Sequence, residues 1–519
     1  MNTDLAELFK MKIKLQDGNR IQALVFILIA LLFKVFFFVV SMKSNNVTFA
    51  KMYLLRGDAL VYSAFCENFY QTGQHFIRFY GYTDLTYRMP NFVFIYYPLR
   101  LVLSQQMTLN GVIIFQILLS AVSNYFLARI AFFVFKKDIF FYSTFILYCL
   151  SSFLPRWNCY LYTESISTSL LIISVYLLFI GKKQQSVKLL FLSGLLMAVC
   201  IFFRAFMGAI WAGSLLYLLV LPETILQRLK LLIAYACFFI LLDSLWVGRN
   251  YQKTGGLVVF DTSHFWYDKI NYKSERCFVY FLKAYGFDLI DWEKNYPCTW
   301  FLTDEQAAIK GTTRPGDDIF PQRTFYNDLN IDSLKYARAN LIYVRSDTAV
   351  ASKTRSYYDM EACRMFNKFI LAAQTIRPWD YYILNRVRAT FRLVNQYKGT
   401  ALKSMKYPFN VVFVFMDYFI NYFVIIGGII GSFIILLSNG RSRELYFVIF
   451  IPAFIIFFFG MVLMEVEPRY LATAYPFLLV ISVAASLKLV EKKCAGPLFL
   501  FSAVVFALSV LAITREIKF

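Results

Sequence analysis

The stretch LLRGDALVYSAFCENF, residues 54–69, sets a carboxylate, Asp58, at the head of an amphipathic helical pattern shortly after a long apolar run. Such a carboxylate has two ordinary uses: it caps the helix, accepting from free backbone N–H groups, or it serves as a positioned base. Other short polar stretches interrupt the apolar sequence further on. GYTDLTYRMPNF (81–92) supplies Asp84 and Arg88, RWNCYLYTES (156–165) supplies Arg156 and Glu164, and FFRAFMG supplies Arg204. WVGRNYQKTGG (246–256) supplies Arg249, and EVEPRYLATAYP (465–476) supplies Glu465, Glu467 and Arg469. Each taken alone is an ordinary cap or a snorkelling anchor. Together they are the residue types of a site that pairs one base with several guanidinium groups able to hold a phosphate.

The rest of the chemistry is narrowed by what is missing. With His75 and His264 the only histidines, a His-rich metal centre is excluded. No CxxC, HExxH, GxxxxGK[ST] or strand-helix GxGxxG pattern occurs, so no metal and no cofactor is expected. The nine cysteines form no framework; Cys277 and Cys298 are candidates for a pair if their compartment is oxidising.

The elements that must position these groups are membrane helices. Of 519 residues, 59% are hydrophobic, more than a soluble chain of this length can hide. Apolar runs occupy 21–40, 109–135, 138–154, 163–180, 187–203, 206–221, 229–247, 409–437, 445–464, 469–489 and 496–513. The predicted fold class is an all-α polytopic membrane bundle of about 11–13 spans with a mixed external domain. One set of short loops carries twelve Lys and Arg residues and the alternate set only Arg156, Arg204 and Arg469. The basic set and the N-terminus are therefore expected in the cytoplasm. This parity requires 91–104 to lie on the outer surface without crossing.

The chain then divides into a cytoplasmic N-terminus (1–20), a membrane core (21–247) with an external loop (41–108), an external domain (248–408), C-terminal spans (409–513) and a tail (514–519). The external domain is itself basic, with 24 Lys and Arg against 16 Asp and Glu, which predicts an anionic partner. Within it, residues 376–397 alternate bulky apolar and basic residues at helical spacing, as a helix resting on lipid headgroups does. Lys34, inside the first run, is expected to snorkel outward, the alternative being an interior-facing charge.

A first apolar run, an outer loop opening with GD…Y, and an R.P before an aromatic-rich surface helix together resemble the GT-C superfamily of lipid-linked-sugar glycosyltransferases. The similarity is to the protein O-mannosyltransferases and the lipid A aminoarabinose transferases. Further matches are Thr163-Glu164, Arg204, the W..RNY...G of Trp246 to Gly255, and an E..RY....P-like pattern in which Glu467 is one place off, followed by Arg469, Tyr470 and Pro476. The matches cover roughly residues 20–260 and 440–490.

This resemblance implies a transferase that moves a sugar from a polyprenyl-phosphate carrier to an acceptor hydroxyl at the outer face, with inversion. It assigns the base to Asp58 and the carrier phosphate to Arg88. Arg249, Arg469, Arg204, Asp84, Glu164 and Tyr62 become further donor or acceptor contacts. Asp58 is followed by Ala59 where many relatives have a second acid, so Asp84 or Glu164 would supply it. The implied partners are the lipid-linked sugar donor, a lipid, glycan or protein acceptor, and membrane lipids, with no nucleic acid. The implied location is a bacterial cytoplasmic membrane. Two other readings stand beside it, an O-antigen-type ligase or polymerase and a transporter or flippase. The second expects ionisable groups near the bilayer midplane, yet apart from Lys34 and Asp243, the latter about a turn from the outer end of its helix, the spans are nearly free of charge.

Overall fold

The computed structural model describes residues 20–55, 57–79, 82–85, 89–220, 224–260, 273–286, 300, 316, 320, 322–346, 352–395, 402, 405, 409–437, 442–491 and 495–516. The N-terminal segment 1–19, Arg88 and Cys298 lie outside the described residues. The chain begins with α1 (Arg20–Ser44) and then α2 (Asp58–Thr72). A two-stranded antiparallel hairpin follows, β1 (Ile77–Phe79) and β2 (Tyr82–Asp84), pairing Ile77 with Asp84. The surface helix α3 (Val93–Arg100) has eight residues, about 12 Å, too short to cross a bilayer. Then come α4 (Gln105–Phe135), α5 (Asp138–Leu150), α6 (Thr163–Lys183), α7 (Val187–Phe203), α8 (Met207–Leu219) and α9 (Ile225–Thr254).

The 248–408 segment supplies α10 (Lys273–Ala284), α11 (Ile331–Ser346), α12 (Ser352–Ile376) and α13 (Asn385–Asn395). The chain returns to apolar helices in α14 (Phe409–Leu437), α15 (Arg443–Ile456), α16 (Tyr475–Glu491) and α17 (Ala495–Glu516). All eleven apolar runs are helical. Among the described residues, six helices are long and apolar enough to cross a membrane: α1, α4, α6, α9, α14 and the wide-turn-extended α15. The protein is thus a multi-pass helical bundle, with fewer full-length spans than the runs predict. The run at 138–154 shows why. Its helix stops at Leu150, and Ser151 leaves it in extended conformation. Ser151 Oγ then reaches the Tyr475 hydroxyl at 3.0 Å, and Ser152 Oγ donates to the Asp417 carboxylate at 2.5 Å.

Small and hydroxylated residues let these helices approach closely, the usual device where lipid removes the hydrophobic drive. On α6, Ser174 donates to the Ser193 carbonyl at 2.9 Å and Ser193 returns a bond to the Ser174 carbonyl at 2.7 Å. The Tyr235 carbonyl occupies the place a side chain on Gly194 would need, so α7 and α9 touch backbone to backbone. Gly428 and Gly431 do the same for α14 against α16. Lys34 faces the interior and does not snorkel. It is fully buried, donating to the Tyr148 carbonyl at 3.2 Å with its ammonium 4.3 Å from the Tyr148 ring centre. A carbonyl and an aromatic face supply the polar contact that snorkelling would otherwise seek.

The 248–408 segment has its own core of Phe278, Phe281, Leu341, Phe366 and Phe369. Its described elements are helices, where a mixed domain was expected. The aromatic positions 278, 281 and 285 recur at helical spacing, which buries them on one face of α10 and its C-terminal turn. Cys277 bonds Cys363, tying α10 to α12, and not Cys298. The spacing of cysteines along a chain says little about which pair meets after folding.

Past Ile376 the chain makes a wide π turn at Asp380–Leu384 and continues as α13. Asn385, Ala389 and Leu393 are buried, while Ile376, Trp379, Ile383, Val387 and Phe391 are all exposed at spacings of three and four residues. Arg377, Arg388 and Arg392 are exposed beside this stripe. That is the make-up of a helix lying in a headgroup layer. In proteoliposomes, nitroxides at positions 379 and 391 should collide more with oxygen than with a water-soluble nickel complex. Equal collision rates at both positions would place the stripe in water.

Candidate functional site

Asp58 is the first residue of α2 and not its cap. Gly57 holds the cap position at φ +54°, and no side chain caps the helix. That backbone angle suits glycine; a Cβ there would meet only the Tyr162 hydroxyl at 3.6 Å, so the angle and not the space calls for it. Upstream, the Leu54 N–H donates to the Cys159 carbonyl at 2.8 Å. This bond fastens the approach to α2 against the 155–162 segment that leads into α6. One backbone contact therefore sets Asp58 beside the start of the helix that carries Glu164.

The carboxylate of Asp58 lies 2.9 Å from Arg469 Nη2. Arg469 sits in a 3-10 turn, Pro468–Ala472, between α15 and α16. Its Nε faces Glu164 Oε1 at 3.6 Å and bonds the Glu467 carboxylate two residues back. The Pro468 ring sits between these two, at the start of the turn, where a missing N–H costs nothing. Glu164 is in the first turn of α6, 1% exposed, and its Oε1 lies 3.2 Å from Arg204 Nη1. Arg204 follows the last residue of α7, a helix end that favours a cation. Glu164 Oε2 is buried without a hydrogen-bond partner. Tyr162 and Tyr470 flank Arg469 with their rings 5.1 and 5.5 Å from the guanidinium.

Four chain segments thus bring three carboxylates and two guanidinium groups together. Burial works against the Arg469 charge, but Glu164, Tyr470, Glu467 and Asp58 outweigh it and hold its pKa well above the ordinary value. Glu467 shifts the other way. Burial pushes it up to about 7 despite Arg469, with Glu164 and Asp58 adding repulsion. Among the described residues two guanidinium groups face three carboxylates, and the acids repel one another. Asp58 is the most open member, its side chain 30% exposed against 16% or less for the others.

The other described residues of the predicted set have contacts of their own. Arg249 donates to the His75 carbonyl at 2.6 Å, to the Leu85 carbonyl and to Asn250 Oδ1, and so braces the two ends of the hairpin. His75 is a buried, neutral ring stacked on Phe65 at 4.4 Å; burial first, and Arg249 second, lower its pKa to about 3. Tyr62, one turn beyond Asp58, is buried against Phe92. Asp84 ends β2, and Arg88 lies outside the described residues. Arg249, Lys253, Trp246, Leu85, Pro90 and Phe94 help line a largely apolar cleft of about 420 Å³. In sequence Glu467 is the acid of the E..RY....P-like pattern, one place off, with no role in the site assigned to it. Compared with protein families and with curated proteins, the chain matches none.

The Glu467 shift has a definite sign. A raised carboxyl pKa means that the folded state holds a proton which the unfolded state releases between about pH 4.5 and 7. Stability conferred by that proton is complete below this window and lost as the pH rises through it. His75, with its pKa lowered to about 3, contributes the opposite slope up to about pH 6.5. The Glu467 contribution is therefore read as the difference in thermal stability in detergent between the native protein and Glu467→Gln, which should decline as the pH rises through the window. An unchanged slope in the variant would assign the titration to another group.

Proposed function

We propose that this protein transfers a sugar from a polyprenyl-phosphate carrier to an acceptor hydroxyl, with inversion, at the outer face of a bacterial cytoplasmic membrane. The observation that carries the reading is the Asp58–Arg469 pair. It is a carboxylate at a helix start, the most exposed member of its cluster, held by Arg469, which Glu164 and Glu467 hold in turn. In the reaction the acceptor oxygen attacks the anomeric carbon from the face opposite the phosphate. Asp58 takes the hydroxyl proton as the new bond forms, and the carbon–oxygen bond to phosphate breaks with its electron pair going to the phosphate. A hydroxyl is far too weak an acid to ionise beforehand, so the base acts while the attacking oxygen gains positive character.

Arg469 orients Asp58 and is itself held by Glu164 and Glu467. The leaving phosphate needs cations of its own. Arg88 fills that role in this reading. Leu85 and Pro90, on either side of it in sequence, line the cleft with Arg249 and Lys253. An apolar cleft with two cations suits the phosphate and the first units of a polyprenyl tail. The external segment, held by its Cys277–Cys363 bond, agrees with an oxidising outer compartment.

The test is transfer of labelled sugar from polyprenyl-phosphate donors by purified protein in lipid, native beside Asp58→Asn. Because Asp58 is not a cap, asparagine removes the base at little expense to the helix. A loss of about a hundredfold or more in kcat, with fold retained, is expected for a missing base. Full activity in the variant would remove Asp58 from the mechanism. No transfer from any donor by the native protein would favour the ligase reading.

A further inference from the structure

The turn that carries Glu467 and Arg469 is not held by the membrane helices alone. α15 runs into a wide π turn, Phe457–Val462, whose end is a sharp reversal with Met464 at φ +52°. The last carbonyls of such a turn have no partner within it. Two cations from the external segment supply them. Arg386 on α13 donates to the Met461 carbonyl. Lys283, in the last turn of α10, donates to the Leu463 carbonyl at 2.7 Å and lies 4.0 Å from Glu465.

These two cations are fixed relative to each other. Asn385 Nδ2 donates to the Ala284 carbonyl at 2.8 Å, and Arg392 donates to the Gly286 carbonyl at 3.0 Å. α13 lies so close to the π turn that a side chain on Gly460 would collide with the Thr390 backbone. Beyond the turn, Phe459 stacks face to face on Tyr470 at 4.4 Å, next to Arg469. A continuous chain of contacts therefore runs from α10 and α13 through residues 459–465 to the Arg469 cluster.

Basic residues often cap helix ends, and such caps generally serve stability. Here both donors come from a different part of the chain, and the capped segment continues within a few residues into the site. We propose that Lys283 and Arg386 are positioning residues, through which docking of the external segment sets the placement of Glu467 and Arg469 around Asp58. The catalytic meaning of this coupling rests on the transferase reading, but the coupling does not. Occupation of the external segment by an acceptor would then be felt at the base without any contact to it.

The experiment has one readout with activity and one without. The first is sugar transfer by Lys283→Met and by Lys283→Arg. The second is the decline between about pH 4.5 and 7 in the stability that Glu467 confers, measured against Glu467→Gln in the same background; the charged neighbours of Glu467 are Arg469, Glu164 and Asp58. Lys283→Met should lose that decline and lower kcat by about ten- to a hundredfold with little change in acceptor KM, the cost of a small misplacement. Lys283→Arg should restore both. A folded Lys283→Met protein that keeps the decline and full transfer overturns the proposal. If that variant does not fold, Gly460→Ala tests the same joint by pushing α13 off the turn, with the same expected losses and the same refutation. Should the native protein transfer nothing, the pH readout still decides the coupling.

Discussion

Everything that distinguishes this bundle from a plain stack of apolar helices meets at the Arg469 guanidinium. A planar cation with several donors can satisfy more than one carboxylate at once, and a lysine cannot match that geometry. Asp58, Glu164 and Glu467 all take up positions around it. Removing a partner from such a buried cluster leaves an uncompensated charge, so the segments that supply its members are constrained together. The Gly57 conformation, the Leu54–Cys159 backbone bond, the Arg204 position after α7 and the Pro468 turn are the local means by which each one arrives.

Among the described residues two guanidinium groups face three carboxylates, and the most deeply placed carboxylate, Glu164, keeps one oxygen without a hydrogen bond. Structural ion clusters tend to be closed, with every acceptor met. The raised pKa of Glu467 and the open acceptor on Glu164, beside the more exposed Asp58, support the transferase reading more than a purely structural role.

The architecture separates two tasks. The membrane helices hold the charges through small-residue contacts such as Ser174 with Ser193 and Gly194 with Tyr235. The helices of the 248–408 segment, stapled by Cys277–Cys363, grip the backbone just ahead of Glu467. One face of the 376–391 stretch presents an apolar stripe, while the other packs on the π turn. The apolar stripe, the 248–408 helices and the charged cluster are thereby joined through a few residues.

The helices were legible in the sequence because apolar run length is a property of consecutive residues, and all eleven runs are helical. The types of the site residues were legible too, since ionised groups stand out in so apolar a chain. What the sequence could not carry was pairing. Asp58 reads as a cap or a base until Gly57 is seen to hold the cap position, and nothing in the spacing around Arg249 shows its bonds to the His75 and Leu85 carbonyls. Lys34 turns inward to Tyr148, and Cys277 finds Cys363. The sequence by itself determined a helical membrane chain with sparse charges at its helix ends. Only the tertiary structure decided which charges meet, because an ion pair is made by a few ångströms of space between residues that lie hundreds of positions apart in the chain.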